Sequence, residues 1–167
     1  TGKRLRGGEL IGIRPTKIPM FMLEEGKTEV EIADFMKKTH FVSDEKIALS
    51  IDIAKREKAL LDTLHYEDGY SLYIGIPFCP TTCLYCSFTS YPICSWKKRM
   101  SEYLDALEKE MDFTAEIYRD KKLDTIYIGG GTPTTLEAEK LDRLLTRVKS
   151  TSDFTYVKEI TVEADRA

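Results

Sequence analysis

The stretch LYIGIPFCPTTCLYCSF, residues 72–88, joins a short apolar strand directly to three closely spaced cysteines. Cys79, Cys83 and Cys86 are separated by three and two residues, and the fourth cysteine of the chain, Cys94, follows eight residues later. Thiolates select soft metals, so a cysteine triad just after a strand indicates a zinc or iron–sulfur site.

Zinc is the weaker of these two interpretations. Structural zinc sites usually have four protein ligands in paired spacings, and the only histidines, His40 and His65, lie in the first half of the chain. A cubane cluster held by three cysteines leaves one iron without a protein ligand, where a substrate or cofactor can coordinate. We interpret Cys94 as incidental, or as packed like a small hydrophobic residue.

Periodicity divides the chain into a helical module, residues 1–68, and an alternating strand–helix region, residues 69–167. In the module, Thr28–Glu31 (TEVE) has the pattern of a capping box, and Ser43 is placed to cap a longer helix. Apolar residues then recur at helical spacing. A packing or spacer element is the simplest interpretation of this module.

The second region predicts a parallel sheet. Three strands, SLYIGIP, DTIYIGG and VKEITVE, are separated by single helices, the first at about Ser95–Arg119 and the second opening with a capping box at Thr134–Glu137. Such βαβ units build parallel sheets. Each strand alternates between an apolar face and a face of small or polar residues, which favours a partial barrel with a lumen.

Candidate functional residues collect where the strands end. The triad follows the first strand, GGGT at Gly129–Thr132 ends the second, and Glu163 ends the third. In parallel barrels the active site lies at this carboxyl edge. A glycine-rich turn also simply reverses a chain, and a terminal glutamate can simply be exposed. No lysine follows the glycines at the spacing of the Walker pattern, so the turn is not a phosphate loop.

Composition excludes several classes of function. The chain of 167 residues has 42% hydrophobic residues and a net charge of −3, and its basic residues are scattered, so we expect no nucleic-acid partner. No apolar run approaches the roughly 18 residues of a membrane span, and no signal peptide is recognisable, so we expect a cytoplasmic protein. Because both ends of the sequence look cut, we expect a fragment truncated at both ends.

The motifs together resemble a known family. C-x3-C-x2-C after YIGIPFC, followed by GGGTPT, resembles the radical S-adenosylmethionine enzymes. More narrowly, IPFCPTTCLYCSF, YIGGGTPT and ITVEA resemble the oxygen-independent coproporphyrinogen III oxidase/dehydrogenase family, and GIRPTKI ahead of the barrel resembles its HemZ-type branch. The resemblance covers Gly12–Glu163 and implies an α/β fold, the N-terminal part of a partial (β/α) TIM-like barrel preceded by the helical module.

The resemblance also implies cofactors and chemistry. A 4Fe-4S cluster would be held by Cys79, Cys83 and Cys86, and its open iron would bind S-adenosylmethionine. An unidentified electron donor would reduce the cluster, and the resulting 5'-deoxyadenosyl radical would start the oxidative decarboxylation of two propionates of a porphyrinogen substrate. This is an oxidoreductase step of heme biosynthesis in which the cofactor does the difficult chemistry. The fragment alone is expected to be inactive.

Other positions are carried over from the family by motif. Tyr73 would contact S-adenosylmethionine, although it can also be an ordinary strand tyrosine, and Tyr85 would pack over the adenine. The amino end of the cofactor would be contacted by Gly130, Gly131 and Thr132. Glu163 would bind the ribose hydroxyls.

Two alternative functions remain open from the sequence. The motif continues as CSF, whereas some coproporphyrinogen oxidases continue as C-x-C and the related heme chaperone usually shows CDF. The chaperone retains the cluster motif without oxidase activity. A non-catalytic iron–sulfur or zinc-binding module is the alternative from another class.

Overall fold

The computed structural model describes residues 7–8, 10, 14–88 and 90–164, which form two compact units, 1–64 and 65–167. Gly12 and Ile13 of the GIRPTKI motif lie outside the described residues. The sequence predicts a boundary after Asp68, close to the start of the second unit at His65. The backbone N–H of His65 donates a hydrogen bond to the Asp124 carboxylate, 2.9 Å away, within the second unit.

The first unit contains three helices, α1 (Lys17–Glu24), α2 (Glu29–His40) and α3 (Asp44–Leu61). The capping box at Thr28 and Glu31 is confirmed, with Thr28 N–H donating to the Glu31 carboxylate at 2.7 Å. Ser43 is at the N-cap of α3, but its hydroxyl makes no capping bond. The core of this unit is formed by apolar side chains of α2, α3 and the segments beside them: Leu10, Ile32, Met36, Val42, Ile47 and Ile51.

The second unit is built on a parallel three-stranded sheet. Its strands are β1 (Gly69–Ile76), β4 (Lys122–Gly130) and β5 (Glu159–Val162), in the order β1-β4-β5. A separate parallel pair joins the short strands β2 (Phe78–Cys79) and β3 (Tyr91–Pro92). The predicted parallel α/β architecture is confirmed.

The helices of this unit depart from the sequence prediction at their starts. The single helix expected from Ser95 is divided into α4 (Ile93–Trp96), a 3-10 turn and α5 (Met100–Ile117). The capping box at Thr134–Glu137 is wrong, because Pro133–Thr135 form a 3-10 turn and α6 (Ala138–Thr151) starts after it. No helix within the described residues is long and apolar enough to cross a membrane.

The two faces of the sheet differ as the alternation predicts. The apolar face packs into a core with α5 and α6, and Ile74, Ile76, Ile126 and Ile128 are at most 2% exposed. Ile160 on β5, expected on the same face, is 41% exposed and does not belong to this core. The opposite face carries two rows of residues paired across the strands. Tyr73, Tyr127 and Thr161 form one row, and Gly75 and Gly129 form the next.

Candidate functional site

A cavity of about 420 Å³ lies at the carboxyl edge of the sheet. It brings together the residues that the sequence analysis selected from three separate stretches of chain, and its lining includes Cys79, Cys83, Cys86, Gly130, Gly131, Thr132 and Glu163. This convergence follows from the topology, because parallel strands carry the segments that follow them to one edge.

The cysteine triad lies partly at the surface. All four cysteines are free; Cys79 and Cys86 are half-buried, and Cys83 is exposed. A turn brings the Cys86 N–H to the Cys83 carbonyl oxygen at 3.0 Å. Cys79 is fixed by its place on β2, and the Thr132 hydroxyl donates to its sulfur at 3.6 Å. The triad is therefore anchored at its first member.

The donor set suits an iron–sulfur cluster. Such clusters are held by cysteine thiolates, and a cubane with three protein ligands takes one thiolate on each of three irons. Three thiols spread around one cavity match that requirement. Among the described residues, no group of three His, Cys, Asp or Glu side chains is arranged to hold a single metal ion.

The glycine segment packs tightly against the end of β1. The Gly131 N–H donates to the Ile76 carbonyl oxygen at 2.7 Å, and the Thr132 N–H donates to that of Phe78 at 2.8 Å. Gly130 has a φ of 110°, which favours glycine, and its N–H donates to Glu163. The N–H groups of Gly130, Gly131 and Thr132 therefore all have partners within the protein.

Glu163 is held at both carboxylate oxygens. The Tyr127 hydroxyl donates to Oε1 at 2.6 Å, and the Gly130 N–H donates to Oε2 at 3.2 Å. The hydrogen bond to Glu163 raises the pKa of the Tyr127 phenol above its usual value, so this phenol is protonated at neutral pH. Glu163 thus acts as an oriented acceptor at the rim of the cavity.

A second cavity of about 440 Å³ adjoins the first and shares Phe88, Gly130 and Gly131 with it. Tyr73 lines this cavity and is 60% exposed. Its ring stacks on Tyr127, with ring centroids 5.7 Å apart and planes inclined by 12°. The pair forms an aromatic wall next to the glycine row.

Two residues do not join the site as the sequence analysis described them. Tyr85 is 89% exposed and lines neither cavity. Cys94 is exposed, so its interpretation as a packed residue is wrong. It lies on α4, which has no buried residues, and borders a different cavity beside Lys97 and Glu137.

Tyr127 and Phe88 lie at the site but are not among the residues predicted from the sequence. For Tyr127 a usable signal is its alternation with Gly129 on a strand that ends at the site. Phe88 lies two residues after the triad and is 75% exposed.

Comparisons with known proteins identify relatives of this chain. The chain is 42% identical over 170 residues to the oxygen-independent coproporphyrinogen-III oxidase-like protein HemZ of Bacillus subtilis, a match that covers 99% of the chain. It is 44% identical over 99 residues, 57% of the chain, to the heme chaperone HemW of the same organism. No family model matches the chain.

A solved structure shows the same architecture. The fold is similar to that of the coproporphyrinogen III oxidase HemN from Escherichia coli, described as a radical SAM enzyme, with a TM-score of 0.52 and 29% sequence identity. The similarity covers 65% of this chain and 25% of that one. The chain spans only 34% of the length of HemZ and 25% of that of HemW.

Proposed function

Because the chain belongs to the oxygen-independent coproporphyrinogen III oxidase family of radical S-adenosylmethionine proteins, in its HemZ-type branch, we propose that its strand-end cavity binds a 4Fe-4S cluster and S-adenosylmethionine. We further propose that the protein oxidatively decarboxylates coproporphyrinogen III to protoporphyrinogen IX without oxygen, in heme biosynthesis.

One observation supports the proposal above the others. Three free thiols, the glycine segment and a carboxylate line one cavity, although they come from three separate parts of the chain. A structural metal site would not need a carboxylate and a glycine-lined wall beside its thiolates, because four ligands would already close its coordination sphere. A cluster with an open iron and an adjacent ligand would use both.

The residues fit the cofactors as follows. Cys79, Cys83 and Cys86 would hold the cluster, and the wall formed by Gly130 and Gly131 would lie beside S-adenosylmethionine. When bound, the reduced cluster and S-adenosylmethionine supply a carbon radical that removes a hydrogen atom from substrate.

The protein's own contribution is to position and to shield. Thr132 is 7% exposed and donates its hydroxyl to Cys79, which fixes the direction of that sulfur. Glu163 presents acceptor oxygens for ligand hydroxyls, and the exposed ring of Tyr73 offers a flat surface next to the cavity. Phe88 borders both cavities and can exclude water from the space between them.

A second candidate function is that of a heme chaperone. The 44% identity to HemW over 99 residues supports it, since this value is close to the 42% identity to HemZ. The match to HemZ, however, extends over 99% of the chain and so includes the helical module, whereas the HemW match covers 57%. We therefore favour the dehydrogenase.

Anaerobic reconstitution of the full-length protein tests the proposal. Wild type should bind iron and sulfide, absorb broadly in the visible range, cleave S-adenosylmethionine after reduction and convert coproporphyrinogen III to a divinyl product. Cys83→Ser should lose the cluster, whereas the matched control Cys94→Ser should retain it, because Cys94 borders another cavity.

The outcomes separate the candidates. Heme binding without vinyl product would favour the chaperone and overturn the dehydrogenase proposal. Stoichiometric zinc, with no cleavage of S-adenosylmethionine, would overturn both the dehydrogenase and the chaperone proposals and would indicate a zinc-binding module.

A further inference from the structure

We propose that Tyr127 is a positioning residue that orients the Glu163 carboxylate to accept two neighbouring hydroxyls of a nucleoside ligand. The proposal rests on the function proposed above, because it deepens the role of Glu163 in the same cavity. Tyr127 lies on β4, donates a hydrogen bond to Glu163 and is not among the residues lining the cavity.

The geometry fixes each oxygen of Glu163 separately. Tyr127 donates to Oε1 and the backbone of Gly130 donates to Oε2, so neither oxygen can rotate without losing a hydrogen bond. A carboxylate accepts about four hydrogen bonds in total. One acceptor position therefore remains on each oxygen, which is the arrangement that a pair of adjacent hydroxyls requires.

Packing restricts Tyr127 as well. A methyl group on Gly129 would lie 2.7 Å from Cε1 of the Tyr127 ring and 2.9 Å from Oε2 of Glu163, so both side chains occupy the space that this glycine leaves open. The ring also stacks against Tyr73. The phenol hydroxyl thus reaches Glu163 from a ring that packs next to a glycine and stacks on a second aromatic side chain.

The protonation state supports this role. The hydrogen bond to Glu163 raises the pKa of the Tyr127 phenol, so the hydroxyl remains a donor throughout the neutral range. A donor that persists at neutral pH keeps the Glu163 carboxylate directed.

The test compares two ligands and three variants of the full-length, cluster-reconstituted protein. The ligands are S-adenosylmethionine and its 2'-deoxy analogue, and their dissociation constants are measured by calorimetry. The variants are Tyr127→Phe, which removes only the hydroxyl, Glu163→Gln, and the control Tyr118→Phe, which changes an exposed tyrosine at the end of α5. Iron content and urea midpoints establish that each variant is folded and loaded.

We expect Tyr127→Phe to weaken S-adenosylmethionine binding about tenfold, in the range of a hydrogen bond to a charged group. The same substitution should weaken binding of the 2'-deoxy analogue less than threefold, because that ligand lacks one of the two hydroxyls. Tyr118→Phe should change neither constant.

Three results would overturn the inference or its premise. Equal weakening of both ligands by Tyr127→Phe would indicate a merely structural role. Wild-type affinity in Tyr127→Phe, together with loss of binding in Glu163→Gln, would overturn the inference while leaving the proposed function intact. Failure of wild type to bind either ligand would overturn the proposed function itself.

Discussion

Among the glycines that line the site, substitution of Gly131 by alanine should disrupt the site most. The added Cβ would lie 2.6 Å from the Phe78 carbonyl oxygen, 2.9 Å from that of Ile76 and 3.0 Å from the Cys79 sulfur. Two of these atoms belong to backbone that cannot rotate away. The glycine segment would therefore have to move off the end of β1.

The magnitude follows from that displacement. Overpacking a well-packed position costs about 1–3 kcal/mol, and we expect about 2–3 kcal/mol here because the hydrogen bond from the Gly131 N–H to Ile76 would also lengthen. The shift also pushes against Cys79, so iron binding should fall in parallel. At Gly75 the nearest atom to an added methyl group would be 3.7 Å away, in ordinary contact, which makes Gly75→Ala the matched control.

The assay is urea unfolding of the full-length protein, combined with iron and sulfide content after anaerobic reconstitution. Gly131→Ala should lower the free energy of unfolding and the iron content, and Gly75→Ala should change the free energy by less than about 0.5 kcal/mol. If the two variants were equally stable and equally loaded with iron, the close packing of the glycine segment on Phe78 and Ile76 would be refuted.

Three further predictions follow from other contacts. Thr132→Val should lower the reduction potential of the cluster by about 40 mV, equivalent to about 1 kcal/mol, because the substitution removes a hydrogen bond to the Cys79 sulfur. Spectroelectrochemistry would detect this shift, and an unchanged potential would contradict the hydrogen bond. Asp124→Ala should lower the free energy of unfolding by about 1–3 kcal/mol in urea titrations, because it leaves the His65 N–H unpaired. A change below about 0.5 kcal/mol would show that this hydrogen bond does not stabilise the fold. Thr28→Ala should lower the free energy of unfolding by about 1 kcal/mol, because it removes the capping box. Calorimetric melting can measure this loss, and Thr28→Ser should retain most of the wild-type stability.

The two-residue alternation within each strand, and the alternation of strands with helices along the chain, were enough to predict the parallel sheet. Ile74, Ile126 and the residues in phase with them carry a two-residue alternation, and burial of that face leaves little choice of register. Because parallel strands end at one edge, the same reading placed Cys79 and Glu163 near each other. The gathering of distant motifs was thus predictable from topology.

Hydrogen-bond partners were not predictable in the same way. The amide of Gly131 could have faced a ligand, but the chain continues close enough to Ile76 for the two to pair. The helix start at Ala138 was misjudged because Pro133 fixes a 3-10 turn over residues that otherwise match a capping box. Such outcomes depend on tertiary distances, which local patterns do not encode.

The short parallel pair β2–β3 bears on how the metal site is assembled. Cys79 is paired with Pro92, and the Tyr91 N–H donates to the Pro77 carbonyl oxygen at 2.8 Å, so the two ends of the cysteine segment are joined by the protein itself. The entropy of closing that loop is then lost during folding rather than during metal uptake. Delivery of iron and sulfide would need to order only the interior of the segment, and the affinity of the site would depend on the integrity of this small strand pair.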